Sequence, residues 1–508
     1  MSTDPNPQAA SPIKHVFVLM LENHSFDNMF AMSKIPEIIA ATTDDSNSYK
    51  GFPYNVQDGA LASMPTDPGH EFTDVVQQLC GEGVTYPSGG NYPAINNSGF
   101  AANYATTTSE GPSPQPGQIG DIMACFNTPT QLPIIYQLGS QFALCDQWFS
   151  SIPGPTWPNR FFVHGASSAG FEHSPSTKEI LDWEFLSGFA YPHGSIYDAL
   201  NASQISYGLY VDTEGPVEGS IPQVAALKGI SILDDNVHTL NDFVQDVQDY
   251  YPFQYTFIEP NYGDVINKSY ENGSSQHPMD GVARGEQLIQ TVYEAIRNSS
   301  VWESSLLIIT YDEHGGFYDH FAPPGVAQGV VAPGDGSSST YNESGFTFQQ
   351  LGVRVPAVIV SPWINAQVDH VVYDHSSVPK TIEQIFGLQP LTRRDAQANS
   401  VIHLISSTLR TDCPTSLGRP APEPVRPAMT AARQMILDQQ PLPERGNHIG
   451  FLGIAMKTDA EMSGATPAAP TAFLAKAQSI KTRGEARAYI QSVMTRAKAA
   501  KSRNRRRG

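Results

Sequence analysis

Charged residues are scarce in this chain of 508 residues, at 16% of the total, and positive charge is scarcer still. An average globular chain carries about 25% charged residues. The chain has 50 Asp and Glu against 30 Lys and Arg, which gives a formal net charge of −20. Because a negative surface repels phosphates, we expect no nonspecific nucleic-acid binding. With 40% hydrophobic and 10% aromatic residues, the composition excludes a mainly disordered protein.

Several sequence signatures are also missing. No run of 18 apolar residues occurs, so we expect no transmembrane helix. The chain has neither a GxSxG elbow nor a GxxxxGK[ST] loop, which disfavours an α/β serine hydrolase and a P-loop NTPase. The N-terminal 14 residues lack a basic stretch followed by an apolar one, so we expect no secretory signal in this chain. A cytoplasmic location, a trimmed form and export by another route all stay open.

Cysteine is rare as well, with four residues and no CxxC pair, which disfavours a structural zinc site. Two disulfides and four free buried thiols are both compatible with this count. The cysteines are Cys80, Cys125, Cys145 and Cys413.

Short apolar runs alternate with helical patterns along the chain. Runs of this kind are typical of buried parallel strands, and the intervening segments place apolar residues on one helical face. The sequence therefore predicts an α/β fold with a mainly parallel central sheet, helices on both faces and long loop insertions over residues 44–120 and 321–346. The strands are predicted at 13–22, 305–311 and 355–361, with weaker signals at 206–211 and 255–258, and helices at 280–299 and 376–386.

The chain divides into four predicted segments: an N-terminal arm (1–12), a large domain (13–412), a Pro/Ala-rich arm or linker (413–470) and a basic, helix-prone tail (471–508). Residues 451–508 carry 12 Lys and Arg against 3 Asp and Glu, a net charge of +9. Such a run can make peripheral contact with an anionic membrane or touch nucleic acid. A solvated, frayed terminus is the interpretation that we favour.

Acidic and amide side chains follow two of the predicted strands. Glu22 and Asn23 come directly after the first strand, and Asp312 and Glu313 directly after the strand at 305–311. In parallel sheets, ligands bind beyond the carboxyl ends of the strands. Three carboxylates brought together there repel one another unless a cation is bound, and oxygen ligands suit a divalent metal. Capping and turn formation explain either pair alone, but both pairs at equivalent places favour a metal site.

A threonine and several histidines are further candidates. Thr156 follows Pro-Gly-Pro and precedes a predicted helix, where a hydroxyl beside a metal could attack phosphorus. From the residues alone, an N-cap role is the favoured interpretation of this threonine. His70 and His277 lie in loops, where imidazoles can bind phosphate oxygens or donate a proton, although single histidines are more often structural. Asp319-His320 and Asp374-His375 suit structural or supporting roles.

Five motifs occur in a characteristic order over residues 13–388: HVFVLMLENHSFDNMF, IPGPTWPNRFFVHG, QHPMDGVARGE, IITYDEHGGFYDH and VVYDHSSVPKTIEQIFG. Together they resemble the bacterial phosphoesterase family of phospholipases C and related acid phosphatases. That family belongs by fold to the alkaline phosphatase superfamily. The resemblance implies that residues 13–412 form a phosphoesterase catalytic domain.

The resemblance also implies roles for individual residues. Thr156 falls on the nucleophile position, which replaces the N-cap interpretation. His70 and His277 would contact the phosphoryl group, and one of them would donate a proton to the leaving group. At least one divalent metal ion, of unassigned identity, would be bound by Glu22, Asn23, Asp312 and Glu313.

The implied activity is metal-dependent hydrolysis of phosphoesters through a phosphothreonyl intermediate. A phospholipase C acting on phospholipid headgroup esters is the leading interpretation, because the acid phosphatase branch has Asp where this chain has Glu313. An acid phosphatase acting on small monoesters is the alternative, and a non-catalytic phosphate-ligand-binding protein is least favoured, since no nucleophile or ligand position is lost. Aromatic residues could enclose a choline by cation–π contact, but packing is their commoner role: Trp148, Trp157, Tyr92 and Tyr104.

Overall fold

A computed structural model describes residues 11–182, 187–423, 429–464 and 470–505. Of the predicted N-terminal arm, only residues 11 and 12 lie within these ranges. The strands are β1 (His15–Leu21), β2 (Ser46–Tyr49), β3 (Phe52–Asn55), β4 (Gln57–Asp58), β5 (Ala124–Cys125), β6 (Ala143–Cys145), β7 (Trp148–Phe149), β8 (Tyr207–Val211), β9 (Val237–Thr239), β10 (Tyr255–Glu259), β11 (Ser305–Tyr311), β12 (Ala357–Val360), β13 (Gln367–Asp369) and β14 (Tyr373–Asp374).

Helices connect and cover these strands. They are α1 (Phe26–Phe30), α2 (Phe72–Cys80), α3 (Phe100–Thr106), α4 (Thr128–Gln131), α5 (Pro133–Gln141), α6 (Thr156–Gly165), α7 (Thr177–Asp182), α8 (Ile196–Ala202), α9 (Leu240–Asp246), α10 (Ala283–Arg297), α11 (Ser377–Phe386), α12 (Arg393–Gln397), α13 (Ala431–Asp438), α14 (Asn447–Ser463), α15 (Pro470–Ser479) and α16 (Arg483–Arg505). In the described ranges, no helix has the length and apolar character needed to cross a bilayer.

Eight strands form the central sheet in the order β13-β6-β12-β11-β1-β10-β8-β9. β1 lies between β11 and β10 and is parallel to both. Every residue of β8, β10, β11 and β12 is buried. Because successive side chains of a strand point to opposite faces, both faces of the sheet are covered. The predicted α/β fold with a mainly parallel sheet is confirmed.

One strand runs against the others. The run at 355–361 forms β12, which is antiparallel to both β11 and β6. The sequence pattern was typical of a buried parallel strand, and that interpretation is wrong for β12. An unbroken apolar run reports that both faces are buried, but it carries no information about strand direction.

The long loop-like segment at 44–120 contains more regular structure than its composition predicts. It holds the β2–β3 hairpin, the two-residue strand β4 and helices α2 and α3. α2 has buried Val and Leu side chains on one face, and Cys80 at its end is buried with them. All four cysteines are buried and free, so the two-disulfide alternative is excluded.

The C-terminal segments are part of the folded body. α16 buries Ala486, Ile490 and Val493, and it packs against α14. Arg487 on α16 forms ion pairs with Glu218 and Asp264. The frayed-terminus interpretation is therefore wrong for residues 483–505, because acidic and apolar partners far away in the sequence hold this helix.

The segment predicted as an arm or linker also contains a buried helix. α14 has 13 buried residues, including Phe451 and Ile454. The four-segment division itself stays a prediction.

Candidate functional site

The ends of β1 and β11 bring the predicted acidic residues together. Leu21 and Tyr311 are paired in register, so the residues that follow them leave the sheet side by side. The backbone N–H of Asn23 donates to Asp312 Oδ1 at 3.1 Å. The neighbouring Glu22 and Glu313 side chains are no more than 1% exposed. The structure thus joins two dipeptides that lie 290 residues apart in the sequence.

Asn23 connects this acidic cluster to the predicted nucleophile. Its φ of +62° is left-handed, a conformation that Asn tolerates better than most residues. Its Nδ2 donates to Thr156 Oγ1 at 3.2 Å and also to Glu313 Oε1. Thr156 is the first residue of α6, and Pro155 occupies the N-cap position. All five predicted metal and nucleophile positions therefore lie in one buried cluster, although the cluster itself does not assign their roles.

Arg160 is a site residue that the sequence analysis missed. It lies one turn after Thr156 on α6, and its Nε donates to Asp312 Oδ2 at 2.8 Å. Its Nη2 donates to the carbonyls of Met20 and Leu21 at the end of β1. The i, i+4 spacing from Thr156 on a predicted helix was the available signal, since such residues share a helix face. This arginine fixes α6 against the strand ends.

The cluster contains more negative charge than Arg160 can neutralise. Burial raises the pKa of Glu22 well above its usual range, and the Asp312 carboxylate raises it further, while Arg160 opposes both. Burial also raises the pKa of Asp312 to about 6, against the lowering effect of Arg160. Carboxylates in this situation repel one another unless a positive group joins them.

Two oxygens of the cluster are also left without partners. Glu22 Oε2 and Asn23 Oδ1 are buried and accept no hydrogen bond from the residues that the structure describes. Buried polar atoms are rarely left unpaired in native proteins. Carboxylate and amide oxygens are ligands that hard divalent cations prefer. The residues at this site therefore fit a divalent cation.

A second acidic group lies nearby but needs no ion. Asp27, Asp319 and His320 are close enough to share a cation. Arg354, however, donates to Asp27 Oδ1 at 3.0 Å and to Asp319 Oδ1 at 2.9 Å. His320 Nδ1 also contacts Asp27 Oδ2 at 2.6 Å, and the two carboxylates raise the pKa of His320 against the lowering effect of burial, so the cluster already contains cationic partners for its acidic groups.

His375, from the Asp374-His375 pair, supports the backbone of the proposed metal ligand Asp312. His375 Nδ1 accepts a hydrogen bond from the Trp148 indole, which leaves Nε2–H to donate to the carbonyl of Asp312 at 2.6 Å. Asp374 forms an ion pair with Arg394 at 2.7 Å. Both residues of this pair contact backbone groups, His375 the carbonyl of Asp312 and Asp374 the N–H of Ser376.

Two glycines after Glu313 let the loops that carry His70 and His277 lie close to this residue. Gly315 and Gly316 have φ values of +62° and +75°. A Cβ on Gly315 would lie 2.2 Å from the Asn23 carbonyl, and one on Gly316 would lie 2.6 Å from Pro68 Cβ. Only glycine allows this close contact with left-handed backbone. The loop that carries His70 is thereby held against the turn that carries Glu313.

His70 and His277 lie together, with ring centroids 6.2 Å apart. Burial would lower the pKa of His70, but Glu313, Glu110 and Asp67 raise it to about 10, so this ring carries a proton at neutral pH. Burial lowers the pKa of His277 well below its usual range, so this ring is neutral. The two neighbouring imidazoles therefore differ in charge: His70 is positive and His277 is neutral.

The two tryptophans have the packing role that the sequence analysis favoured over an enclosure for choline. Trp148 is fully buried and stacks on Tyr373, and Trp157 packs against Phe451 on α14. A headgroup cation has no access to either indole, so both residues are packing residues.

Acidic side chains line a cavity beside His70 instead. The cavity has a volume of about 280 Å³. Glu110, one of its lining residues, lies between the cavity and His70. Glu110 Oε1 is 3.8 Å from His70 Nε2, and Glu110 Oε2 is 3.1 Å from Lys268 Nζ. A larger cavity of about 630 Å³, near Phe321 and Arg394, is lined by none of the predicted site residues. The smaller cavity is lined by four acidic residues, Glu71, Glu110, Glu172 and Glu343, and by three basic residues, His173, Lys268 and Arg445.

The chain is similar in sequence to known phospholipases C. A sequence model of the Phosphoesterase family matches residues 13–389. The chain is 36% identical over 438 residues to non-specific phospholipase C6 of Arabidopsis thaliana, covering 82% of this chain and 76% of the relative. It is 27% identical over 452 residues to phospholipase C B of Mycobacterium tuberculosis, covering 82% and 81%. Among solved structures, a protein in the alkaline phosphatase superfamily from Vibrio parahaemolyticus aligns over 54% of this chain and 65% of its own, with 14% identity and a TM-score of 0.32.

Proposed function

Because this chain belongs to the Phosphoesterase family and is a phosphoric ester hydrolase, we propose that it cleaves phospholipid headgroup esters as a phospholipase C, with Thr156 as the nucleophile. The observation that carries the proposal is the hydrogen bond from Asn23 Nδ2 to Thr156 Oγ1, 3.2 Å long, inside a buried acidic cluster. This contact fixes a hydroxyl at the first residue of a helix, where free N–H groups favour an anionic phosphoryl group.

The residues that would hold a divalent cation are Glu22, Asn23, Asp312 and Glu313. When bound, the cation would lower the pKa of the Thr156 hydroxyl and offset charge on the phosphoryl oxygens. Arg160 would keep Asp312 oriented through its 2.8 Å contact.

The reaction proceeds in two displacements. The Thr156 hydroxyl loses its proton to solvent, and Thr156 Oγ forms a bond to phosphorus while the bond from phosphorus to the diacylglycerol oxygen breaks. His70 supplies the proton that this oxygen needs and regains one from solvent. The headgroup phosphate is then attached to Thr156. Water attacks the same phosphorus, the bond to Thr156 Oγ breaks, and the headgroup phosphate leaves.

The acidic cavity beside His70 suits a cationic headgroup. Of its four acidic residues, Glu71 has no ion pair among the described residues, whereas the other three pair with His173, Lys268 and Arg445. A headgroup ammonium placed there would gain charge complementarity close to the phosphoryl site. An acid phosphatase acting on monoesters has no need of such a cavity, and for this reason we place that activity second.

A pair of nitrophenyl substrates separates these two activities. We expect kcat/KM for nitrophenyl phosphocholine, a diester, to exceed that for nitrophenyl phosphate by at least about tenfold, since one lost charge contact in a buried site is worth about that much. Equal values, or a preference for the monoester, would contradict the phospholipase C proposal. The Thr156→Ala variant, purified in parallel, controls for contaminating phosphatases.

A membrane contact through the basic tail is a further part of the proposal. On α16, Arg487 and Arg496 are paired with acidic residues, whereas Lys498 and Arg503 are exposed and form no ion pair among the described residues. Exposed cations near an anionic surface contribute about 1 kcal/mol each.

Vesicle sedimentation measures this contact. We expect Lys498→Glu combined with Arg503→Glu to weaken binding to phosphatidylserine vesicles by about tenfold or more at low salt, and to leave hydrolysis of nitrophenyl phosphocholine unchanged. Unaltered vesicle binding by the double variant would rule out α16 as the contact.

A further inference from the structure

Two buried polar groups face each other beside His70 without a hydrogen bond between them. Asp67 is 6% exposed and His277 is fully buried. Asp67 Oδ2 lies 3.9 Å from His277 Nε2, which is too far for a direct hydrogen bond. Neither oxygen of Asp67, nor His277 Nε2, has a hydrogen-bond partner among the residues that the structure describes. The described part of the fold thus supplies no hydrogen-bond partner for these buried atoms.

The proton on His277 can be placed from its other nitrogen. The backbone N–H of Met279 donates to His277 Nδ1 at 3.3 Å, so Nε2 carries the hydrogen of the neutral ring. The ring is held flat against Tyr270, with centroids 3.4 Å apart, and Asn447 at the start of α14 donates to the Tyr270 hydroxyl. His277 therefore presents a fixed donor to the Asp67 carboxylate.

This pair borders the turn that carries Glu313. Asp67 lies in the loop that contacts Gly316 through Pro68, and Pro278, next to His277, lies against Gly315. The His70 ring, three residues after Asp67, is the proposed proton donor to the leaving group. Asp67 and His277 are therefore close to the residue that is proposed to protonate the leaving group.

The gap of 3.9 Å between His277 Nε2 and Asp67 Oδ2 limits which chemical group can bridge the two residues. When Asp67 is ionised, that group must accept from His277 Nε2–H and donate to the Asp67 carboxylate. An unprotonated phosphoryl oxygen can accept but cannot donate, so it satisfies only the histidine. A water molecule satisfies both, and a polar contact longer than 3.5 Å is commonly bridged by water.

We propose that Asp67 and His277 hold the water that hydrolyses the phosphothreonyl intermediate, and that Asp67 is the base of this step. The inference rests on the proposed function, because it assigns residues to the second displacement. The water oxygen forms a bond to phosphorus as the bond from phosphorus to Thr156 Oγ breaks. The water proton passes to Asp67, which later releases it to solvent, and Thr156 regains a proton from solvent.

The surroundings of Asp67 agree with this role. Burial raises the pKa of Asp67 to about 8, against the lowering effect of His70, so the ionised fraction of Asp67, which increases as the pH rises through this value, is a stronger base than an ordinary carboxylate. Lys268, the other cation that lowers the pKa of Asp67, forms its ion pair with Glu110 rather than with Asp67. Asp67 is thus left available to a small ligand.

Rapid-quench kinetics with nitrophenyl phosphocholine test the assignment. For Asp67→Asn we expect a burst of about one nitrophenolate per chain, followed by turnover at least about 10²-fold slower than in the unmodified protein, since general-base catalysis contributes factors of this size. Mass spectrometry of the acid-quenched variant should find phosphocholine attached to Thr156. Asp121→Asn, which changes a half-buried carboxylate on the 3-10 helix Pro116–Met123, is the matched control and should behave like the unmodified protein.

Other outcomes distinguish the two levels of the proposal. If Asp67→Asn slows the burst and the turnover equally and no adduct accumulates, Asp67 acts before the intermediate and the inference is overturned. If Thr156→Ala keeps normal hydrolysis, the proposed function fails instead. Should Asp67→Asn fold poorly, Asp67→Ala with added formate replaces it: formate should speed decay of the adduct, and an adduct whose decay ignores formate would also overturn the inference.

Discussion

Replacing Thr156 with alanine should lower kcat/KM for nitrophenyl phosphocholine by about 10⁴-fold or more, because removal of a nucleophile abolishes covalent catalysis and leaves only binding and electrostatic effects. The alanine loses the hydroxyl that accepts from Asn23 at 3.2 Å and changes no charge. The measurement is a steady-state assay at saturating substrate, with metal content determined on the same preparation.

Two variants control for indirect effects of this substitution. Thr156→Ser keeps a hydroxyl at the same place and should retain activity within about tenfold, since serine and threonine share nucleophile chemistry. Thr177→Ala changes the first residue of another helix, α7, and should leave activity unaltered. A Thr156→Ala protein with a normal thermal transition and normal turnover would remove this residue from the mechanism.

The second large effect is expected from Glu22→Gln, which should reduce bound divalent metal from about one ion per chain to less than about a tenth. The substitution removes one of three buried carboxylates while keeping the shape of the side chain. Each lost carboxylate ligand weakens the binding of a hard cation strongly, because these ions prefer charged oxygen donors. Elemental analysis after dialysis against the chosen metal measures the loss.

Thermal unfolding of the same variant gives a readout that does not depend on turnover. In metal-free buffer, Glu22→Gln should be more stable than the unmodified protein, because the burial and repulsion that raise the pKa of Glu22 also destabilise its ionised form. With metal added, the order should reverse, since ligand binding stabilises only the protein that binds it.

Glu383→Gln is the matched control for both measurements. Glu383 is 3% exposed, and its carboxylate oxygens also lack hydrogen-bond partners among the described residues, but it lies on α11 outside the site. Its metal content should equal that of the unmodified protein. Full metal occupancy in Glu22→Gln would show that the ion, if bound, is held elsewhere.

Parts of the site were readable from the sequence because local patterns encode local properties. The apolar runs at 13–22 and 305–311 predicted β1 and β11, and the acidic residues directly after them predicted where a ligand site would form. The motif order gave the family and pointed to Thr156, His70 and His277. The residues supporting these positions were harder to find, because their partners come from distant segments.

The sequence by itself determined which segments are buried, where polar side chains leave the strands, and how negative the main body is, since burial and charge are carried by the residues themselves. The tertiary structure alone decided which segments meet. It set β12 antiparallel, placed Arg160 on Asp312, enclosed Trp148 and Trp157 in the core, docked α16 on acidic partners and left Asp67 facing His277. These outcomes depend on contacts between residues that are far apart in the chain, and apolar periodicity, which reports only whether a face is buried, carries no record of the partner.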